Sequence, residues 1–298
     1  MLLNAFNNYL TYEKRYSEHT VYAYSRDIET FNKYIKDTYE GTDILEVDHQ
    51  MVRSWVAYLV DLGISAVSIK RKLSSVRAFY RYCQQKKHIK YNPVAKIVAP
   101  KTSETLPTFL TTEQTTKLLS ILPEADNYID SRDRIIITLL YATGIRRAEL
   151  RNLKTTDISF EKKTISVVGK RNKQRIIPIG ENLINELSDY KIQRDKFVLQ
   201  LQNYHDDNTL LLTIKGKPIY DKAIYNIVHS QLIKVATNSK LSPHVLRHTF
   251  ATQLLNDDAD INAIKELLGH SSLAATQIYT HNTIDKLKSI HKQAHPRA

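Results

Sequence analysis

Within 36 residues stand His244, Arg247, His270 and Tyr279, in the stretch LSPHVLRHTFATQLLNDDADINAIKELLGHSSLAATQIYT at 241–280. A guanidinium that keeps its proton, two imidazoles and a phenol form a set suited to handling a phosphate. The arginine can match two phosphate oxygens, the histidines can move protons, and the phenol can attack if it is activated. No one of the four is a signal alone, since the chain carries 18 tyrosines and 11 histidines.

The elements that must position them are legible. Ser242-Pro243 starts a helix, with serine as cap and proline at the first helical position. Leu246, Phe250 and Leu254 then make a buried stripe, with Arg247 at its border and His244 three residues before it. An arginine there is partly desolvated and needs an anion; a protein carboxylate and a bound phosphate both fit. A second helix runs from a cap at Asp260 through Ile261, Ile264, Leu267 and Leu268, and Gly269 ends it. His270 then sits just past a helix C-terminus, where the macrodipole favours its protonated form.

Earlier in the chain, the first ninety residues predict four helices. In the second, Val21, Tyr24, Ile28, Phe31 and Ile35 form one apolar stripe after a cap at Ser17. The third follows Asp48 and ends at Gly63; the fourth buries Ile69, Leu73, Val76 and Phe79. It carries Lys70, Arg71, Lys72, Arg77 and Arg81, cations of one sign over three turns, which fit phosphate contact as well as a solvated face. Pro93, Pro100 and Pro107 lie in an aperiodic stretch that predicts a linker over 91–108, between domains at 1–90 and 109–298. The second domain opens with a helix at Thr111 or Thr112. An apolar central helix, RDRIIITLLYA, follows; it halts at Thr143-Gly144 and restarts as IRRAELRNLK. Three short strands follow within DISFEKKTISVVGKRNKQRIIPIG, their turns holding Lys162-Lys163 and Lys170 to Lys173; LLLT at 210–213 adds a possible fourth, before a helix DKAIYNIVHSQLIKVA. The expected fold is mainly α in two domains, with a small antiparallel sheet in the second.

With 43 basic and 31 acidic residues the net charge is +12, an excess of +5 in residues 1–100 and +7 in the rest. A basic surface on both halves fits a polyanion held between them. Cys83 is the only cysteine, which excludes an internal disulfide and a cysteine-rich zinc site. No export signal, membrane span, HExxH pair or nucleotide-binding GxxxxGK[ST] is found, so the expectation is a cytoplasmic protein with no metal, cofactor or membrane partner.

Five segments in order carry a resemblance: ATGIRRAEL at 142–150, GKRNKQR at 169–175, HVLRH at 244–248, LLGH at 267–270 and TQIYTH at 276–281. In order and spelling they resemble the tyrosine recombinase family, most closely its Xer branch, over essentially the whole chain. The ending HKQAHPRA is similar to that branch's tail. The resemblance implies a helical core-binding domain and a catalytic domain forming a clamp around double-stranded DNA. It also implies attack by Tyr279 on a phosphodiester, giving a 3′-phosphotyrosyl link and a free 5′-hydroxyl. Arg146 and Arg247 would clamp the non-bridging oxygens, and Lys170 would protonate the leaving oxygen. Arg171 and Lys173 are competitors for that task or contacts to backbone phosphate. His244 would take the tyrosyl proton, His270 would bond the phosphate, and Glu149 would support Arg146. Metal and ATP are not needed. Expected partners are a tetrameric synapse of like or paired recombinases and a DNA translocase activator, in resolving chromosome dimers. The alternatives are a mobile-element integrase with the same chemistry and a non-catalytic architectural DNA-binding protein. Ile284, Leu287 and Ile290 mark a short amphipathic tail expected to dock on a neighbouring protomer.

Overall fold

The computed structural model describes residues 2–101, 108–169, 173–201, 207–237, 241–257 and 259–269, with only the backbone of Lys265. Lys170, Arg171, His270, Tyr279 and the tail therefore lie outside the described residues. The chain divides into two compact units, 1–105 and 106–298.

The first unit is helical: α1 (Leu2–Asn8), a π-helical turn (Tyr9–Glu13), α2 (Glu18–Thr38), α3 (His49–Asp61) and α4 (Ala66–Gln85). Its core holds Ile28, Phe31, Ile35, Val52, Trp55, Leu73, Val76 and Phe79, the stripes that helical spacing predicts. Asp48 caps α3 by accepting from the Met51 amide at 2.9 Å, and Gly63 closes that helix at φ +70°. Ser17 precedes α2 as expected, but its hydroxyl pairs with the Thr20 hydroxyl at 2.9 Å instead of capping the backbone. Val94 and Ile97, from the proline-rich stretch, are buried in this core.

The second unit contains α5 (Thr112–Ser120), α6 (Tyr128–Thr143), α7 (Arg147–Arg151), a 3₁₀ turn (Thr155–Asp157), and strands β1 (Ile158–Ser159), β2 (Thr164–Val168) and β3 (Gln174–Pro178). Then come α8 (Glu181–Leu199), α9 (Asp221–Leu232), α10 (Pro243–Asn256) and α11 (Ile261–Leu268). The strands form an antiparallel meander, with Ile165 opposite Ile158 on one side and Ile177 on the other. Helix α6 is almost wholly buried, as its apolar run requires. No helix among the described residues is long and apolar enough to cross a membrane.

Three features depart from the sequence expectations. The restart after Gly144 is a helix of five residues. Helix α8, 19 residues long, has no counterpart among the predicted elements. And the segment 210–213 is not a strand; it makes only an isolated bridge, Leu212 with Pro218. Loop backbone and side chains share its polar groups: the Leu210 and Thr213 amides donate to Leu153 and Lys217, the Leu211 carbonyl accepts from the Ile219 amide, Tyr190 donates to the Leu210 carbonyl at 2.7 Å, and Tyr128 and Arg132 donate to Leu212 at 3.0 and 3.2 Å. A segment whose polar groups are met by scattered loop and side-chain partners needs no regular ladder with a neighbouring strand.

Candidate active site

The site is assembled around two glycine turns, one ending α6 and one ending α11, with side chains from β3 and α10. Helix α6 stops at Gly144, φ +58°, where an added Cβ would come within 2.5 Å of Phe250 Cδ1 and 2.8 Å of Leu268 Cδ2. Only glycine fits so close to α10 and α11 in that conformation. The reversal buries Ile145 and places Arg146 as the cap residue of α7. Glu149, three residues on, closes a reciprocal arrangement: its Oε2 accepts from the Arg146 amide at 2.9 Å and its Oε1 from Arg146 Nη1 at 2.8 Å.

Glu149 is buried and has a second partner. Arg175, on the inward face of β3 and only 5% exposed, donates through Nη1 and Nη2 to the two carboxylate oxygens at 3.0 and 2.8 Å. A third arginine, Arg247 of α10, is also buried. Its partner is neither of the expected anions: it donates to two backbone carbonyls, Gly144 and, at 2.6 Å, Leu268.

These guanidiniums converge on one helix end. Arg175 Nε donates to the Leu267 carbonyl at 2.8 Å, Arg247 Nη2 to Leu268, and Arg146 Nη2 to Gly269 at 2.8 Å. Carbonyls in the last turn of a helix lack intrahelical donors and carry the negative end of the macrodipole. Three successive ones here are each met by a cation from a different segment. Gly269, φ +62°, permits the approach, since a Cβ there would stand 3.3 Å from Arg175 and 3.4 Å from Arg146.

The electrostatics leave a surplus: three cations surround one carboxylate. Burial alone would raise the Glu149 carboxyl, but the hydrogen bonds and charges of Arg175 and Arg146 win and hold it below its ordinary value. Burial, then the charges of Arg146 and Arg175, lower Arg247 to about 10, with Glu149 opposing. Arg247 therefore stays cationic at neutral pH, and the excess positive charge favours a bound anion. His244 lies on α10 one turn before Arg247. Partial burial, then the neighbouring charges of His248, Arg147, Arg247 and Arg146, lower its pKa. The imidazole is neutral at pH 7 and able to accept a proton.

Arg146, His244 and Arg247 are thus brought to one place. Arg147, beside Arg146 in sequence, is instead paired with Asp221 of α9 at 3.2 Å, as is Arg151 at 3.1 Å. Lys173 is exposed, and its carbonyl accepts from the Gly169 amide at 2.7 Å to close the β2–β3 hairpin. Sequence reasoning missed Arg175. The available signal was its alternation with buried Ile177, which turns an arginine toward the core.

The basic set on α4 divides. Arg71 and Lys72 donate to buried Asp27 of α2, Arg71 at 2.5 and 2.9 Å and Lys72 at 3.2 Å. Arg77 donates to the Ile97 carbonyl at 3.0 Å, while Lys70 and Arg81 are exposed.

Sequence patterns of known families match this architecture. The phage integrase family pattern covers residues 108–286, and that of the phage integrase N-terminal SAM-like domain covers 3–87. The chain belongs to the phage integrase family. The tyrosine recombinase XerC of Pediococcus pentosaceus is 38% identical over 298 residues, covering 100% of this chain and 98% of that one. The tyrosine recombinase XerD of Staphylococcus haemolyticus is 34% identical over 297 residues, covering 100% and 99%. Site-specific tyrosine recombination is the activity this membership carries. The fold recurs in solved integrase-family structures. The XerH site-specific recombinase bound to palindromic difH substrate gives a TM-score of 0.71 at 24% identity, over 91% of this chain and 78% of that one. The Tn1549 transposon integrase in complex with transposon right end DNA gives 0.72 at 20%, over 96% and 97%.

Proposed function

We propose that this phage integrase family protein binds double-stranded DNA and cuts and rejoins it through Tyr279, with the arginine cage as its phosphate site. The observation that carries the proposal is the convergence of Arg146 and Arg247 on the adjacent carbonyls of Gly269 and Leu268. Two guanidiniums so held are preorganised for the two non-bridging oxygens, where negative charge accumulates as a phosphodiester is attacked.

The Tyr279 oxygen bonds to phosphorus and the bond to the 5′ oxygen breaks, leaving a 3′-phosphotyrosyl link. A phenol with an ordinary pKa of about 10 is a weak nucleophile at neutral pH. His244, neutral and one turn from Arg247, takes its proton. Lys170 gives a proton to the departing 5′ oxygen, with Arg171 and Lys173 contacting neighbouring phosphates, and His270 bonds the scissile phosphate. Ligation reverses these steps, and the bond energy stays in the phosphotyrosine, so neither ATP nor a metal is required.

In this reading residues 1–90 form a core-binding domain, 91–108 a linker and 109–298 the catalytic domain, and the two domains clamp the duplex. Lys70 and Arg81, exposed on α4, are its leading phosphate contacts; Arg71, Lys72 and Arg77 add charge while holding structure. The cellular role proposed is resolution of chromosome dimers in the cytoplasm, by a tetrameric synapse responsive to a DNA translocase. Full-length likeness to Xer relatives favours this over a mobile-element integrase, and sequencing DNA ends captured covalently in cells separates the two. Deleting 283–298 is expected to weaken cooperative assembly and spare single-site binding.

The deciding experiment uses duplex DNA nicked near the site. Wild type is expected to become covalently linked and Tyr279→Phe not to; binding without linkage by both would leave an architectural role.

A further inference from the structure

Arg175 is the one buried arginine of the cage that no step above uses. Its contacts are too many for a simple ion pair. Two N–H groups span both Glu149 oxygens and the third reaches the Leu267 carbonyl, all within 3.0 Å. Glu149 also holds Arg146 by backbone and side chain, and Leu267 immediately precedes the carbonyl held by Arg247. Arg175 therefore connects, through one planar group, the carboxylate that aims Arg146 and the helix end against which Arg247 rests. It comes from a third segment, β3, so it also fixes where the sheet stands relative to both.

We infer that Arg175 is a positioning residue for transition-state binding, setting the Arg146 and Arg247 guanidiniums through Glu149 and the end of α11. This rests on the recombinase reading above. Lysine cannot replace it, because a single ammonium lacks the planar fork that bridges two carboxylate oxygens while reaching a third acceptor. Gly269 borders the same arrangement: at φ +62°, an added Cβ would crowd Arg175 and Arg146 at 3.3 and 3.4 Å.

The test is cleavage of nicked duplex DNA held in saturating excess, where covalent trapping limits each protein to one turnover, by full-length wild type, Arg175→Met and Arg175→Lys, reading the rate and the final amplitude per protein separately. Loss of positioning is expected to slow both variants by about 100-fold, at an amplitude matching wild type, because small misplacement of a catalytic group is enough for that. A purely structural role would lower the amplitude, the fraction of folded enzyme, and leave the rate of the remainder intact. Arg175→Lys keeps a buried cation beside Glu149 and so supplies a folded variant should Arg175→Met not fold.

A second substrate, with sulfur in place of the 5′ bridging oxygen, locates the effect. A thiolate leaves without being protonated, so a defect in the leaving-group acid vanishes on it, whereas a defect in the arginine cage persists. Persistence supports the inference; full rescue, or wild-type rates on both substrates, overturns it. Absence of any covalent product from wild type would instead overturn the recombinase reading itself.

Discussion

Asp27 and Glu149 are, among the described residues, the two carboxylates more than nine-tenths buried, and each is outnumbered by cations. Their surroundings differ in reach. Asp27 takes all its donors from one helix: Arg71, Lys72 and, at 2.8 Å, Ser75 of α4. The Arg71 side chain remains 51% exposed, and the linkage ends by joining α4 to α2. Glu149 takes donors from the cap of α7 and from β3, and the same two arginines continue to the carbonyls of Gly269 and Leu267. A buried carboxylate whose partners stop with it holds two helices together. One whose partners go on to other segments holds a site, and leaves positive charge there for a substrate.

That contrast is broken most forcefully at Arg247. Arg247→Ala is expected to slow cleavage of nicked DNA by about 100- to 1000-fold in single-turnover assays. Next, Glu149→Gln should cost about 100-fold in the same assay by freeing Arg146 and Arg175 from their common anchor. Asp27→Asn should leave the rate of bound enzyme unchanged; an equal loss in both would erase the distinction. Urea unfolding sharpens it further. Removing Glu149 strands Arg175 in the interior, with an expected loss of about 3–5 kcal/mol. Asp27→Asn leaves Arg71, whose side chain is already 51% exposed, able to turn to solvent, and should lose about 1–3 kcal/mol.

Two pH effects follow, and both are smaller. The folded Glu149 carboxyl titrates below its ordinary value. Its contribution to stability is therefore complete above the unfolded pKa of about 4.3 and is lost as pH falls through the folded one. Stability curves of wild type and Glu149→Gln should converge on acidification across that window. His244 is also lowered, by burial first. If it accepts the tyrosyl proton, the acid limb of the cleavage rate lies below pH about 6.5, and His244→Gln removes that limb.

Much of this was legible in the chain. Although the Ser17 and Ser242 side chains make no capping bond to α2 and α10, the α2, α3, α10 and α11 stripes follow from spacing, as do the cap at Asp48 and the stops at Gly63 and Gly269. Helix α8 did not, because its buried face includes Tyr190 and Arg194 among the aliphatics. The inward-facing Arg194 directs Nε and Nη2 to the Thr209 carbonyl at 3.0 and 2.7 Å, a use that periodicity cannot anticipate. The leucine run at 210–213 imitates a strand because a strand and a segment pinned by scattered loop and side-chain hydrogen bonds both bury apolar residues. At the site, Arg146 and Arg247 were legible as motif members and Glu149 as the support of Arg146, but the carbonyl partners were not. Arg247 met carbonyls where a carboxylate or a phosphate was expected, and Arg175 stayed hidden because its role appears only when three segments meet.

The central claim is that Arg247 acts on charge developing at the scissile phosphate and not on binding alone. It is tested most directly by replacing one non-bridging oxygen of that phosphate with a methyl group, which removes the charge. Single-turnover cleavage by wild type and Arg247→Ala is then compared on the two substrates, at equal occupancy. The account predicts that the large penalty of Arg247→Ala on ordinary DNA nearly disappears on the neutral substrate. A penalty of the same size on both would contradict it.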